Sequence, residues 1–468
     1  MDKDLFQSLL NTPDALCCSI RAQWKPFYNR DDFKSYDPKN HKINYRLPRL
    51  VAKPTDKVNP ETDEPVYEKV WEEQNKLAFS DQKIIVDTAV AFLTNGDVTL
   101  KPAITDDTGA QLATLVQATW DKNKLDYENS DMAETVKTQL ECAEIWYGEV
   151  AEKDSEGNTT RAEMKVRFYK PSDGYDLIPV WDNNRDLIAF ALQYQDAKTA
   201  KARYMDVYTD TYIRYYVQNG QGWQERRAAA PLPYGKIPVI LWCQPHSDYR
   251  DVQSLIDRKE MVMSGYADDN DYTANPFMFI KTDKLVSMPQ KGQAGKVLQG
   301  DGASDAKFLE RHSKPEAIIY EMDTLNDAIY GSTQTPQLDF KSMQGLGDIS
   351  GAALDRLLIS AHMKAMKAHR SWYGKGIQRR INFLVAALSA ITPGLASAKD
   401  LTIKPIFGLF KLDADSDRVD VATKAYQANI MSQKEAIAYA GIADDPQATL
   451  EAIQAESIAK PPADNLNK

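Results

Sequence analysis

The sequence predicts an α+β fold, and three observations carry that reading. Apolar residues recur at helical spacing in the stretches before residue 148 and after residue 247. Between them, Glu149–Gln244 is rich in β-branched and aromatic residues. A small β-type insert then divides two helical runs and is followed by one long helical pattern.

The chain has 468 residues, of which 43% are hydrophobic and 26% charged. That suits a protein of two to four domains with ordinary cores. The longest apolar runs, such as Phe383–Leu388, are far too short to cross a membrane. Met1-Asp2-Lys3-Asp4 opens on acids with no apolar segment behind it, so no signal peptide is expected. Four scattered cysteines, with no CxxC pair, predict reduced thiols rather than a disulfide framework or a zinc site. The net charge of −10 argues against a tight grip on phosphate. Any contact with DNA should guide it loosely.

The first ~75 residues, with Lys53-Pro54-Thr55-Asp56 and Asn59-Pro60-Glu61, read as irregular surface structure. Ser80 is placed to cap a helix over Asp81–Thr94, stopped by Gly96, and Gln111–Asn123 and Met132–Tyr147 repeat the pattern. Strands are predicted at Val166–Tyr169, Leu187–Tyr194, Tyr204–Val217 and Ile237–Trp242. Asn219-Gly220 marks a tight turn before Trp223, and Asp154–Asn158 a second hairpin tip.

From Ser247, residues Val252, Leu255, Ile256, Met263 and Tyr266 form the apolar face of a helix reaching about Tyr272. The insert Asn275–His312 contains Phe277-Met278-Phe279-Ile280, Val297-Leu298 and a turn at Gly300-Asp301-Gly302. Ser313-Lys314-Pro315-Glu316 fits a capping box for a helix carrying Ile318, Met322, Leu325 and Ile329 and ending at Gly331. Thr335–Ile349 is a loop longer than a simple connector needs. Ser350 then caps a helix running to Leu388, about 38 residues and on the order of 55 Å long. Gly374 and Gly376 are where it should bend. A strand at Leu401–Ile406 and short helices near Asp417–Ala428, Gln433–Ala440 and Asp445–Ser457 follow, with Pro461–Lys468 a disordered tail.

Catalytic motifs are hard to find. Lys291–Val297 lacks the first glycine and the hydroxyl of a phosphate loop. Asp268-Asp269-Asn270-Asp271 lacks the glycine and closing glutamate of a calcium loop and reads as a solvated helix end. His362 and His369, seven apart on one face, read as surface histidines. No GxSxG or paired Cys/His motif stands out, and no metal or cofactor is expected.

The order of elements, with several local segments, resembles the portal proteins of tailed double-stranded DNA bacteriophages, of the long-tailed siphovirus type. Ile145–Val150 resembles the wing's helix-to-strand turn, and Asp206–Thr209 with Asn219–Trp223 its hairpins. Tyr234–Val239 and Ser247–Asp257 resemble the strand and start of the first stem helix, and Ser350–Leu354 the start of the long helix. Ser432–Ala436, Asp444-Asp445-Pro446 and Glu451…Glu456 resemble the crown. The likeness spans most of Asp81–Glu456.

The resemblance implies a portal fold with wing, helical stem, clip, tunnel loop and crown. The segments are 1–246 (N-terminal region and wing), 247–274 and 313–333 (stem helices) and 275–312 (a small α/β clip). The tunnel loop would be 334–349, the long helix and returning wing strand 350–411, and the crown 412–460. It implies a ring, usually dodecameric, at one capsid vertex of the virion, assembled in the host bacterial cytoplasm. Double-stranded DNA would pass through it in packaging and ejection. Terminase, head–tail adaptors, and the major capsid and scaffolding proteins would dock on it, with no membrane involved. Asp339, Phe340, Lys341, Gln344 and Asp348 would face the channel, and Lys284, Lys291, Lys296 and Lys307 would form a basic docking surface on the clip. The alternatives are another head or connector component, or a nucleic-acid-processing enzyme built on carboxylates and metal.

Overall fold

The computed structural model describes residues 3–26, 48–58, 65–153, 159–195, 202–273, 277–281, 305–309, 315–337, 358–408, 415–441, 443 and 446–459. Helices α1 (Lys3–Leu9) and α2 (Pro13–Gln23) open the chain, followed by strands β1 (Arg49–Val58) and β2 (Pro65–Glu72). The described residues of the expected irregular start are thus mostly helix and strand. Pro54 sits inside β1, which a two-stranded ribbon tolerates because each strand has a free edge.

Helices α3 (Asp81–Leu93), α4 (Asp107–Lys122) and α5 (Leu125–Gln139) follow, with β3 (Thr99–Pro102) between the first two. Asp106, rather than an internal residue, caps α4, its Oδ1 accepting the Gly109 N–H at 2.7 Å. Ser80 precedes α3 without a side-chain capping bond. The helix expected over Met132–Tyr147 is wrong in its second half. Leu140 takes a left-handed φ of 68°, which stops the helix, and β4 (Glu141–Lys153) begins at once. Ile145–Val150 is therefore strand, not a helix-to-strand turn.

The β-rich interval holds β5 (Thr159–Tyr169), β6 (Asp176–Trp181), β7 (Leu187–Gln195), β8 (Arg203–Tyr208), β9 (Tyr212–Asn219), β10 (Gly222–Pro231) and β11 (Val239–Cys243). The run Tyr204–Val217 is two strands, broken at residues 209–211. Asn219 pairs with Gly222 across the expected tight turn, and β4 pairs with β5 from Lys153↔Thr159, so a hairpin flanks 154–158, which lies outside the described residues.

Two antiparallel sheets result, one in the order β10-β9-β8-β7-β6 and one in the order β11-β4-β5. Side chains alternate between faces. Ala143, Ile145, Val239 and Leu241 meet Leu177, Phe190, Leu192 and Tyr208 between the sheets. The odd-even partners of the smaller sheet, Cys142, Trp146, Ile240 and Trp242, turn instead into the helical core with Val116, Trp120, Ile377 and Ile381. The outer face of the larger sheet, including Ile178, Ala189, Val207 and Trp223, is covered by Phe6, Leu16, Cys17 and Ile20 of α1 and α2. Burial on both faces is why these strands read as continuous apolar runs.

Helices α6 (Gln253–Thr273) and α7 (Pro315–Ser332) flank a pair of short strands, β12 (Phe277–Lys281) and β13 (Asp305–Leu309), paired antiparallel. The proposed capping residue Ser313 and the segment Val297-Leu298 lie outside the described residues.

The long helix is not continuous. It is α8 (Ile359–His369) and α9 (Trp372–Ile391), broken at Arg370-Ser371; Ser350 and its neighbours to 357 lie outside the described residues. The bend or break expected at Gly374 and Gly376 falls a few residues earlier, and both glycines lie inside α9, where close neighbours leave no room for a side chain. A Cβ on Gly374 would stand 1.8 Å from the His369 carbonyl oxygen, and one on Gly376 would stand 2.1 Å from the Trp242 ring. Strand β14 (Ile403–Ile406) returns to pair with β3, and α10 (Asp415–Gln427), α11 (Gln433–Ala440) and α12 (Pro446–Ala459) close the chain. Ser432 and Glu435 make a capping box on α11.

Candidate functional site: two packed helices and their polar root

Helices α6 and α7, the expected stem helices, lie side by side, joined by Arg258 to Glu321 at 2.8 Å. Met263, Tyr266, Ile318, Ile319 and Met322 line an apolar groove between them. Two polar clusters fix the root of these helices to the rest of the fold, and a third lies deeper in the core.

In the first cluster, Lys259 of α6 donates to both carboxylate oxygens of Asp81 at 2.9 Å, and the Tyr330 hydroxyl of α7 donates to Asp81 Oδ1 at 2.7 Å. Both charges are nearly buried, at 6% and 2% exposed, so each needs the other. One carboxylate at the start of α3 thus holds both α6 and α7. Beside it, the backbone N–H groups of Phe79, Leu77 and Asn75 donate to Glu260, Ser264 and Asp268 at 3.0, 2.9 and 3.0 Å. The match is geometric. Two residues of extended chain advance about 6.6 Å and four residues of helix about 6 Å, so every second N–H meets every fourth side chain. Asn75 Nδ2 also donates to Asp271 at 2.7 Å. Asp268 and Asp271, in the acidic run expected to be a solvated helix end, therefore hold Asn75 against α6.

The second cluster frames the expected tunnel loop. Asp248 Oδ2, just before α6, accepts from Lys137 of α5 at 2.8 Å and lies 2.9 Å from Lys364 of α8. Lys364 Nζ also donates to the Thr333 carbonyl at 3.1 Å, and the Thr333 and Thr335 hydroxyls are bonded at 3.0 Å. One lysine therefore ties α8 to the residues just after α7. Burial pushes the Asp248 carboxyl up, but the two ammonium groups outweigh it and hold the pKa at about 2. Burial lowers Lys364.

Because the folded value of Asp248 lies below its ordinary 3.8, the stability it contributes is present above that value and lost as pH falls through about 2. Asp248→Asn should cost on the order of 2 kcal/mol near neutrality. Urea unfolding at about pH 6 and about pH 2.5 checks this, since the gap between wild type and variant should shrink at the lower pH. A gap independent of pH would contradict the assignment.

The third cluster is deepest. Arg380 of α9, fully buried, donates to Glu144 Oε1 and Oε2 at 2.8 and 2.7 Å and to Asn129 Oδ1 at 2.6 Å. The indole N–H groups of Trp146 and Trp242 complete the Glu144 carboxylate at 2.6 and 2.9 Å.

The two histidines are not free surface groups. His369 Nε2 donates to the Leu93 carbonyl at 2.9 Å and its ring stacks on Phe407, while His362 meets the Phe92 edge at 5.2 Å. Burial lowers His369.

Of the residues expected to face DNA, Asp339, Phe340, Lys341, Gln344 and Asp348 lie outside the described residues, as do Lys284, Lys291 and Lys296. Lys307 falls in β13, opposite Phe279. Sequence reasoning missed the root clusters because their partners are remote in the chain, as with Asp81 and Lys259. The available signal was a charged residue set within an apolar run, as Glu144 is beside Ile145 and Trp146. Among the described residues, no three or more His, Cys, Asp or Glu side chains group to hold a metal ion.

Residues 27–461 match the family described as "Phage portal protein, SPP1 Gp6-like". The portal protein of Bacillus phage SPP1 is 24% identical over 303 residues, which is 59% of this chain and 58% of that relative. The chain thus matches less than two thirds of that relative's length. Two solved structures align over 78% of this chain and 89% of theirs at 12% identity: the virion of a native gene transfer agent particle (TM-score 0.37) and the neck of an empty one (0.36). Those superpositions are too loose to carry residues across.

Proposed function

The chain belongs to the SPP1 Gp6-like family of phage portal proteins, and on that premise we propose that it forms a closed ring at one capsid vertex, a noncatalytic channel through which double-stranded DNA is packaged and ejected. The family match over 27–461 carries the reading. The stem geometry supports it: two helices anchored at one carboxylate project a small β pair at their far ends, and exposed Ile319 and Tyr320, at 59% and 75%, leave an apolar flank for a neighbouring subunit. A ring needs such heterologous surfaces.

In this reading 275–312 is the clip, where terminase and then the head–tail adaptors dock, with Lys284, Lys291, Lys296 and Lys307 supplying a basic surface for acidic partners. Segment 334–349 is the tunnel loop, clamped at its base by Lys364. Lys341, repeated by symmetry, gives a sparse positive ring beside Asp339 and Asp348, enough to touch phosphate without clamping it. Phe340 and Gln344 share that lining, capsid and scaffolding proteins surround the wing, and residues 412–460 form the crown.

Deleting Ser342–Gly347, or Lys341→Ala, should leave assembly intact and lower DNA packaging, the deletion by roughly tenfold or more, the loss of a contact or two of 1–2 kcal/mol each. Packaging in an extract complemented with purified protein measures it. Full packaging by the deletion variant would remove the loop from the mechanism.

A further inference from the structure

The hairpin β1–β2 is an unpartnered arm. Among the described residues it pairs with no other strand, and every residue from Val66 to Trp71 is exposed. A two-stranded ribbon alone is marginal in water and leaves both edges open. Leu50 and Trp71 face each other across the strands, and Tyr67 lies two cross-strand steps along on the same face. These three are 49%, 67% and 61% exposed. The arm's root is held firmly, since residues 75–79 immediately after it are strapped to α6 by Glu260, Ser264 and Asp268.

A second unpartnered surface lies elsewhere on the chain. Ile359, Met363 and Met366 of α8 form an i, i+4, i+7 stripe, 58%, 56% and 37% exposed, while the opposite side of α8 buries Ala361, Ala365 and Ala368. Lys367 and Arg370 are exposed on the same side as the two methionines. The surfaces are chemically complementary. Thioethers and cations both favour aromatic rings, and the hairpin face presents an indole and a phenol. Within one copy each surface is open to solvent. Two different patches that fit each other, on one chain, are what a head-to-tail contact requires.

We propose that the Leu50–Tyr67–Trp71 face of the hairpin docks on the Ile359–Met363–Met366 stripe of a second copy of this chain. The proposal rests on the ring reading above. It makes the hairpin a clasp between neighbouring subunits and places that clasp on the helix whose Lys364 holds the base of the tunnel loop.

The test is site-directed cross-linking of the full chain in a Cys18→Ser background, which removes the exposed native thiol. Tyr67→Cys with Met363→Cys, treated with a short bis-maleimide, should give a ladder of covalent multimers. Either single variant should stay monomeric on the denaturing gel, because the contact joins unlike patches. Rings seen by microscopy but no ladder would overturn the clasp and leave the ring standing. Absence of rings from the untreated wild type would overturn both. As a second measurement, Tyr67→Ala with Trp71→Ala should raise the protein concentration at half-assembly roughly tenfold or more. An unchanged midpoint would overturn the clasp, and because both side chains are exposed, circular dichroism of the variant should match wild type.

Discussion

Replacing Arg380 with methionine should destabilise the protein by about 3–5 kcal/mol and lower its melting temperature by on the order of 10 °C. The reason lies in what remains. Glu144 is fully buried and would keep only the two indole N–H groups and no positive charge. The bidentate geometry, with both guanidinium bonds under 3 Å, makes this a strong pair, and the third donor to Asn129 leaves little of Arg380 unsatisfied. Removing both partners together, in Glu144→Met/Arg380→Met, should recover part of the loss, since no charge is then stranded. Urea titration of the two singles and the double measures this. A cost below about 1 kcal/mol for Arg380→Met would show that the pair is not the keystone joining α9 to the smaller sheet.

Gly374→Ala should cost roughly 3 kcal/mol, because the added methyl would sit inside the His369 carbonyl oxygen, a backbone atom that cannot swing away. The only relief is to straighten or shift the junction between α8 and α9, and that displaces His369 from the Leu93 carbonyl and from Phe407. Lys375→Ala is the internal control. Its side chain is exposed on the same turn, so it should change stability by no more than about 0.5 kcal/mol. Equal effects of the two substitutions in thermal denaturation would contradict the steric account of the break.

These two sites also show how far the sequence could be read. The helix periods, the β-rich interval, the Asn219-Gly220 turn and the C-terminal helices were legible because each is set by local pattern. The expected break at Gly374 and Gly376 falls instead at Arg370-Ser371, and the two glycines lie within α9. The clash partners, the His369 carbonyl and Trp242, come from a folded turn and a distant strand. Leu140 misled for a similar reason: a leucine gives no hint of a left-handed φ, and the apolar run after it fits helix and buried strand alike. The early strands were hidden by Pro54 and charge. The root of the stem was illegible, because Asp81, Lys259 and Tyr330 announce their contact by no spacing. The channel and clip lysines came from the family likeness, and their positions remain part of the proposed function.

The same residues give the fold a functional logic. Asp81 and Asp248 each gather elements on either side of the residues proposed as clip and tunnel loop. The net charge of −10 per chain would favour sliding over gripping DNA.

The central claim is that many copies close into a ring around a channel. Negative-stain microscopy of the purified chain, across a range of protein concentrations, tests it most directly. The expected result is closed rings of uniform subunit number with a stain-filled central hole. Uniform monomers at high concentration, or open filaments with no closed particles, would contradict it.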